Sequence, residues 1–190
     1  HVTAKSSSDL QEDSFNNKPG HCGVVMAWKD ELNQYVKVIN GINSDRICGI
    51  KLVGLGKNKC NVYVIGVYLP HQQCKINDFD TEVETLEVLV DQCKADGEVV
   101  IVGDYNCHFG EEHGVRFWGQ TTKNAKTLAK MIDRCTLNIL DKDNTCRGPN
   151  YTFYVEGIGM SYIDHVLATP ICSQVIKNCA TIPDSYDNTS

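Results

Sequence analysis

The residues best equipped for chemistry lie in Val99-Val100-Ile101-Val102-Gly103-Asp104-Tyr105-Asn106-Cys107-His108. Four β-branched residues in a row read as a buried strand. A glycine then breaks the run and polar groups follow at once. An α/β protein presents reactive side chains in this way, from the carboxyl end of a core strand. Asp104 and Asn106 are two apart, so in extended backbone they point to one side. An acid and an amide so placed can hold a metal-bound water or a phosphoryl oxygen. The same two residues also suit a strand-end Asx turn.

Tyr68 and Asp164 share that position, at or near the end of an apolar strand. Stacked sheets would bring such ends to one rim. Carboxylates there can bind Mg²⁺, a hard cation that prefers oxygen. An amide and a phenol can donate hydrogen bonds to a phosphate whose charge grows during attack. Asp104 can also orient or deprotonate the attacking water. Tyr68 reads as well as a packed strand tyrosine. Asp164, between Ile163 and Val166, needs a partner to be buried, and a histidine ring nitrogen is the natural one. His165 faces the other way in a strand, so a different histidine is expected there. His71 and His108 are candidate contacts to a phosphate or leaving group, and Ser161 is a candidate donor at the rim. The sequence carries no Ser/His/Asp nucleophile signature and no phosphate-loop or dinucleotide fingerprint.

The elements that must position these groups follow from hydrophobic patterning. Strands are predicted at Cys22–Trp28, Tyr35–Ile39, Arg46–Val53, Asn61–Tyr68, 98–102, Leu137–Leu140, Tyr151–Tyr154 and Tyr162–Leu167. Residues 5–21 lack any period and read as a loop, and Gly54–Lys59 as a hairpin connection. One helix is predicted over Asp78–Lys94, where Phe79, Val83, Leu86, Val90 and Cys93 recur at helical spacing. A second covers 122–135, with Ala125, Leu128, Ile132 and Cys135 inward. Short strands joined tightly are mostly antiparallel. Two stacked sheets flanked by helices would bury so many strands.

Composition narrows the classes. A chain of 190 residues with 42% hydrophobic content suits one domain with a real core. The net charge of -6 argues against a surface built to coat nucleic acid, though not against a nuclease with a locally favourable cleft. Ten cysteines are scattered without a C-x-x-C pair, which reads as buried free thiols rather than a zinc site or disulfide scaffold. No stretch approaches the length of a membrane span. The first residues do not read as a signal peptide. The lack of an initiator methionine and the bare end at Ser190 suggest a piece of a longer chain.

In order, Gly-Val-Tyr-Leu-Pro (66–70), Val-Gly-Asp-Tyr-Asn-x-His (102–108), Tyr-Thr-Phe (151–153) and Ser-Tyr-Ile-Asp-His-Val (161–166) resemble the endonuclease/exonuclease/phosphatase superfamily. The likeness is greatest to the endonuclease domains of non-LTR retrotransposons and spans residues 22–190. It implies a four-layer α/β/β/α sandwich of two mostly antiparallel sheets, terminally truncated here. It implies Mg²⁺-dependent hydrolysis of DNA phosphodiesters, with Mn²⁺ a possible substitute. By motif, Tyr68 would contact the phosphate, Asp104 would set the water and bind metal, and Asn106 would stabilise the transition state. Asn124, which opens a looser match in Asn-Ala-Lys-Thr-Leu, would be a further catalytic residue. Asp164 would orient a catalytic histidine. Thr152, Ser161 and His108 would face the substrate. The resemblance further implies a monomeric intracellular domain, nuclear if retrotransposon-derived, with no membrane partner, continuing into a reverse-transcriptase region.

The chain departs from the family pattern at its borders. The family has an early Gln-Glu whose glutamate binds metal and a final Ser-Asp-His. Gln11-Glu12 imitates the first, but no apolar strand leads into it, and Glu12 reads as a loop residue. Ser190 falls where the last serine would be. The resemblance therefore implies impaired activity for these 190 residues alone. Two other functions fit the same fold: a phosphomonoesterase on a lipid or inositol headgroup, and a non-catalytic adaptor.

Overall fold

The computed structural model describes residues 1–6, 23–55, 59–71, 76–157 and 159–182. Strands β1 (Val2–Ser6) and β2 (Gly23–Ala27) form an antiparallel ribbon. Next come β3 (Val36–Val38), β4 (Ile47–Leu55), β5 (Cys60–Tyr68), helix α1 (Ile76–Lys94) and β6 (Glu98–Asp104). Helix α2 (Lys123–Arg134), β7 (Asn138–Ile139), β8 (Phe153–Val155), β9 (Gly159–Ser161), β10 (Asp164–Ala168) and α3 (Pro170–Val175) complete the order.

Six strands form the central sheet in the order β3-β4-β5-β6-β10-β7. All its pairs are antiparallel except β5–β6. A parallel pair needs a crossover, and α1 supplies it. One face of the sheet, carrying Ile47, Ile65, Val67, Val99, Ile101 and Leu167, packs on Phe79, Val83, Leu86 and Val90 of α1 and on Ala125, Leu128, Met131 and Ile132 of α2. Each such side chain contributes about 1.5–3 kcal/mol on burial. The opposite face meets the ribbon: a Cβ added at Gly66 would lie 3.0 Å from Val24 and 3.5 Å from Met26. Helices, sheet and ribbon thus stack in layers as expected for a mixed α/β sandwich.

Local chemistry explains the helix borders. Thr122 caps α2, its side chain accepting the Ala125 N–H. Asp78 sits in the first turn of α1 and Lys94 in the last, where the helix dipole favours each sign. Lys94 Nζ also donates to the Cys135 carbonyl at 2.5 Å, and Arg134 pairs with Glu87, so the two helices are tied at one end.

Several elements differ from expectation. Residues 5 and 6, read as part of a loop, belong to β1, which runs through Ser6; residues 7–22, with Gln11-Glu12, lie outside the described residues, as does Ser190. The strand β4 continues into the Gly54–Lys59 connection, of which 56–58 are outside the description. The strand read over Tyr162–Leu167 is β10 and runs from Asp164 to Ala168, with the Tyr105 N–H bonding the Ile163 carbonyl at 2.9 Å just before it; Gly159–Ser161, read as a link, is the separate strand β9. Strand β8 then pairs with β9 as a separate hairpin. Helix α3 went unread because six residues are too few to show a period; Pro170 at its start was the one signal. No helix among the described residues is long and apolar enough to cross a membrane.

Strand β6 lies against β5 so closely at Gly103 that a Cβ there would sit 2.0 Å from the Val67 carbonyl oxygen, and its φ is +145°. Gly119 also has positive φ (+73°) but open space around it. Gly103→Ala is expected to destabilise by more than about 3 kcal/mol, and Gly119→Ala by about 1 kcal/mol, the cost of strain alone. Urea unfolding of both variants measures the difference, and equal losses would contradict the close approach.

Candidate active site

The strand order sets the site. In the ladder, Tyr68 of β5 is in register with Asp104 of β6, and Asp104 with Asp164 of β10. Directly opposed residues carry their Cβ atoms on one face, about 4.5–5.5 Å apart across an antiparallel pair. Three of the expected groups therefore stand side by side at one end of the sheet, on the face that also bears Gly66 and the ribbon. Both carboxylates are partly buried. Burial is the main cause that raises the Asp104 pKa to about 6; the Asp164 charge adds to it, and the Asn106 N–H and His165 oppose it. Burial likewise raises Asp164, against a hydrogen bond from Thr152.

The chain beyond β6 fixes the next groups. Asp104 Oδ1 accepts the Asn106 N–H at 2.7 Å, closing an Asx turn. Asn106 sits at φ +48°, a conformation asparagine tolerates better than most residues. Its Nδ2 donates to the Leu69 carbonyl at 2.8 Å, and the Leu69 N–H donates to the Asp104 carbonyl at 2.8 Å. The ends of β5 and β6 are thereby stitched together around the carboxylate.

Thr152 joins the group through β10: its Oγ1 accepts the N–H of both Ile163 and Asp164 at 3.1 Å. Ser161 lies one step away, its carbonyl accepting the Thr152 N–H at 2.8 Å. The Tyr68 ring carries the Arg46 guanidinium 5.6 Å from its centroid, and Arg46 Nη1 donates to the Tyr68 carbonyl. His108 and Asn124 flank the start of α2. The His108 carbonyl accepts the Thr122 N–H at 3.0 Å. His108 Nδ1 and Asn124 Nδ2 are buried without hydrogen-bond partners among the described residues. Burial lowers the His108 pKa, with His165 and Lys142 adding to the effect, so its ring is neutral near pH 7. His71 is exposed at the end of β5.

His165 turns away from Asp164, as strand alternation requires. Its Nδ1 lies 2.8 Å from Asp141 Oδ2, and Asp141 Oδ1 accepts the Val166 N–H at 2.7 Å. Tyr105, Phe109 and Tyr162 surround the imidazole. This pair is buried core, and sequence reasoning missed it. Arg46 was missed too, although it immediately precedes β4, whose start faces the end of β5. Buried Lys142, with its pKa lowered by burial to about 8, donates to the Phe109 carbonyl at 2.9 Å. Arg116 donates to the carbonyls of Cys146, Gly148 and Pro149.

An oxygen-rich pair of opposed carboxylates, a phenol and an amide at the end of a sheet suits phosphate-ester chemistry. Comparison with known proteins bears on that geometry. The family model described as endonuclease-reverse transcriptase matches residues 62–187. No curated protein sequence matches the chain. Among solved structures, the endonuclease domain of TRAS1, a telomere-specific non-LTR retrotransposon, aligns with a TM-score of 0.58 at 12% identity, over 90% of this chain and 68% of that one. An AP endonuclease from Archaeoglobus fulgidus aligns with a TM-score of 0.55 at 21% identity, over 92% of this chain and 68% of that one. The chain thus spans about two-thirds of the length of each, and at such identities the likeness concerns the fold. With a family match over more than half its residues and this shared fold, the chain belongs to the endonuclease-reverse transcriptase family, within the endonuclease/exonuclease/phosphatase superfamily.

Proposed function

We propose that the chain, a single domain, hydrolyses phosphodiester bonds of DNA with Mg²⁺ or Mn²⁺, as a retrotransposon-type endonuclease would. The observation that carries this reading is the register Tyr68–Asp104–Asp164 at one sheet end. Asp104, at the end of β6, accepts a hydrogen bond from the attacking water and so sets its position. The Tyr68 hydroxyl donates to a non-bridging phosphate oxygen, its backbone and ring held by Arg46. The Asn106 amide, fixed through Leu69, stabilises the charge that develops. Asn124 and His108, beside the start of α2, are the further contacts this reading assigns; their unpartnered Nδ2 and Nδ1 atoms are buried in the unliganded fold. Thr152 holds Asp164, and Ser161 lines the same rim.

Two opposed carboxylates fit a hard cation. Mg²⁺ is commonly held by one or two carboxylates and keeps several waters, so the lack of a three-residue cluster among the described residues does not conflict with it. Asp104 and Asp164 would hold the ion, which when bound offsets phosphate charge. In this reading the substrate is DNA, the domain acts as a monomer in the nucleus, and a reverse-transcriptase region follows it in the parent polypeptide.

With Mg²⁺ the chain is expected to nick supercoiled plasmid, and Asp104→Ala to slow nicking at least about 100-fold, the usual contribution of a positioned base. Gel conversion to open circles reads the rate. Should 190 residues nick near background, the same comparison is made with the flanking coding sequence restored. Equal rates for parent and variant exclude the assignment; turnover of a soluble phosphate monoester in place of plasmid favours the phosphomonoesterase.

The carboxylate pair also predicts a stability signature that needs no catalysis. The folded-state pKa of Asp104 lies above its ordinary value, so protonation favours the fold. That contribution is fully present below about pH 4 and is lost as pH rises through about 6. In chelator at pH 7.5, Asp104→Asn is therefore expected to be more stable than the parent by about 1 kcal/mol, discounted for partial exposure. The gain vanishes near pH 4. Adding Mg²⁺ or Mn²⁺ at pH 7.5 raises the parent's thermal midpoint and leaves the variant's unchanged. A parent indifferent to both ions would contradict the proposed cation site.

A further inference from the structure

Two cysteines outside the site lie in contact. The Sγ atoms of Cys146 and Cys179 are 3.5 Å apart, although the residues are 33 positions apart in sequence. Backbone bonds hold the two segments together on either side. The Arg147 N–H donates to the Cys179 carbonyl at 3.0 Å, and the Thr181 N–H to the Arg147 carbonyl at 2.8 Å. Arg147 and Ala180 form a parallel bridge between them. A disulfide sulfur pair is about 2.05 Å apart, so bond formation asks for a closure of only about 1.5 Å within a backbone frame already set. Cys146 is buried, but Cys179 is partly exposed. It also lines a cavity of about 530 Å³ with His113, Asp143, Thr145 and Lys177. A small disulfide can reach its sulfur from there.

We propose that Cys146 and Cys179 form a dithiol–disulfide site, oxidised by a low-molecular-weight disulfide such as oxidised glutathione. The Cys179 thiolate attacks one sulfur of the reagent and releases one reduced glutathione. The Cys146 thiolate then attacks the Cys179 sulfur of the mixed disulfide and releases the second. Two protein thiols lose two electrons in all, one reagent disulfide gains them, and the two thiol protons pass through solvent to the leaving thiolates. Burial and the neighbouring Cys146 push the Cys179 thiol up to about 12. Its thiolate is scarce at neutral pH, so the pair stays reduced against brief exposure and reacts faster in alkali. The closed bond ties the stretch after α3 to the Asp141–Asn150 loop, which Arg116 and the Asp141–His165 pair anchor to the core. The site is independent of the nuclease reading and is tested without nucleic acid.

The reduced full chain is incubated with oxidised glutathione from pH 7 to pH 9, and free thiols are titrated over time. The expected result is loss of two thiols, with a rate rising roughly tenfold per pH unit. Mass spectrometry of an unreduced digest should show the Cys146 peptide joined to the Cys179 peptide. The thermal midpoint should rise by roughly 5 °C, because the bond restricts the unfolded chain, and dithiothreitol should reverse the rise. Cys179→Ser, at the more exposed end, removes the cross-link and the thermal shift; Cys146→Ser serves as a second check where it folds. No thiol loss, a lasting glutathione adduct on Cys179 without closure, or a bond between other cysteines would overturn the proposal.

Discussion

Two carboxylates partly buried opposite each other are costly to a fold. Desolvation disfavours the charge on each, and each charge disfavours the other. The structure offsets the cost locally. Asp104 accepts the Asn106 N–H, Asp164 is bonded by Thr152, and the cation Arg46 stands beside the neighbouring Tyr68. These contacts do not abolish the penalty, since both pKa values remain raised. The remainder is borne by the helix-covered face of the sheet, where Ile65, Val67, Val99 and Ile101 are buried behind the same strand ends. A scaffold this apolar can hold an unfavourable charge pair in register, as a site for a positive or strongly polar ligand requires.

The reactive end of β6 was legible in sequence because the physics there is local. An apolar run, a glycine and an acid need no distant residue to be understood. Helices α1 and α2 were legible for the same reason, since buried positions repeat at one period in each, six among the described residues of α1 and four in α2. What could not be read is what depends on pairing. Strand β1 is half of an exposed ribbon, and nothing in Val2–Ser6 announces that Gly23–Ala27 will lie against it. The break between β9 and β10 falls at Tyr162–Ile163, where the Ile163 carbonyl is bonded by the Tyr105 N–H, 58 residues away. That the strand ends bearing Tyr68, Asp104 and Asp164 meet at one rim was legible; their exact register, Tyr68 opposite Asp104 and Asp104 opposite Asp164, is a property of the sheet.

The two faces of β10 show how one short strand serves both purposes. Asp164 points to the site and His165 to the interior, and a one-residue slip would exchange them. Such a slip would put the imidazole on the carboxylate rim and strand an aspartate among Tyr105, Phe109 and Tyr162. The buried Asp141–His165 pair opposes this, because Asp141 grips both the ring at 2.8 Å and the Val166 N–H at 2.7 Å. The pair therefore sets the register that places Asp164, and its function is read from what it prevents.

Two loops that pack against His165, on the interior side of β10, are held with buried cations in place of regular structure. Backbone carbonyls left unpaired inside a protein are costly, and the loops 109–121 and 141–150 offer several. Arg116 satisfies three of them from the second loop, at Cys146, Gly148 and Pro149, and lies over the Tyr162 ring. Lys142 satisfies the Phe109 carbonyl and lies near the rings of Phe117 and Tyr162. Burial lowers the Lys142 pKa only to about 8, so the amine stays largely charged near neutrality and the contacts persist. Carbonyls and aromatic faces together solvate the two cations in place of water. The loops are thus fixed to the core without strands of their own, and their outer residues, Phe117, Trp118 and Gln120 among them, are left exposed.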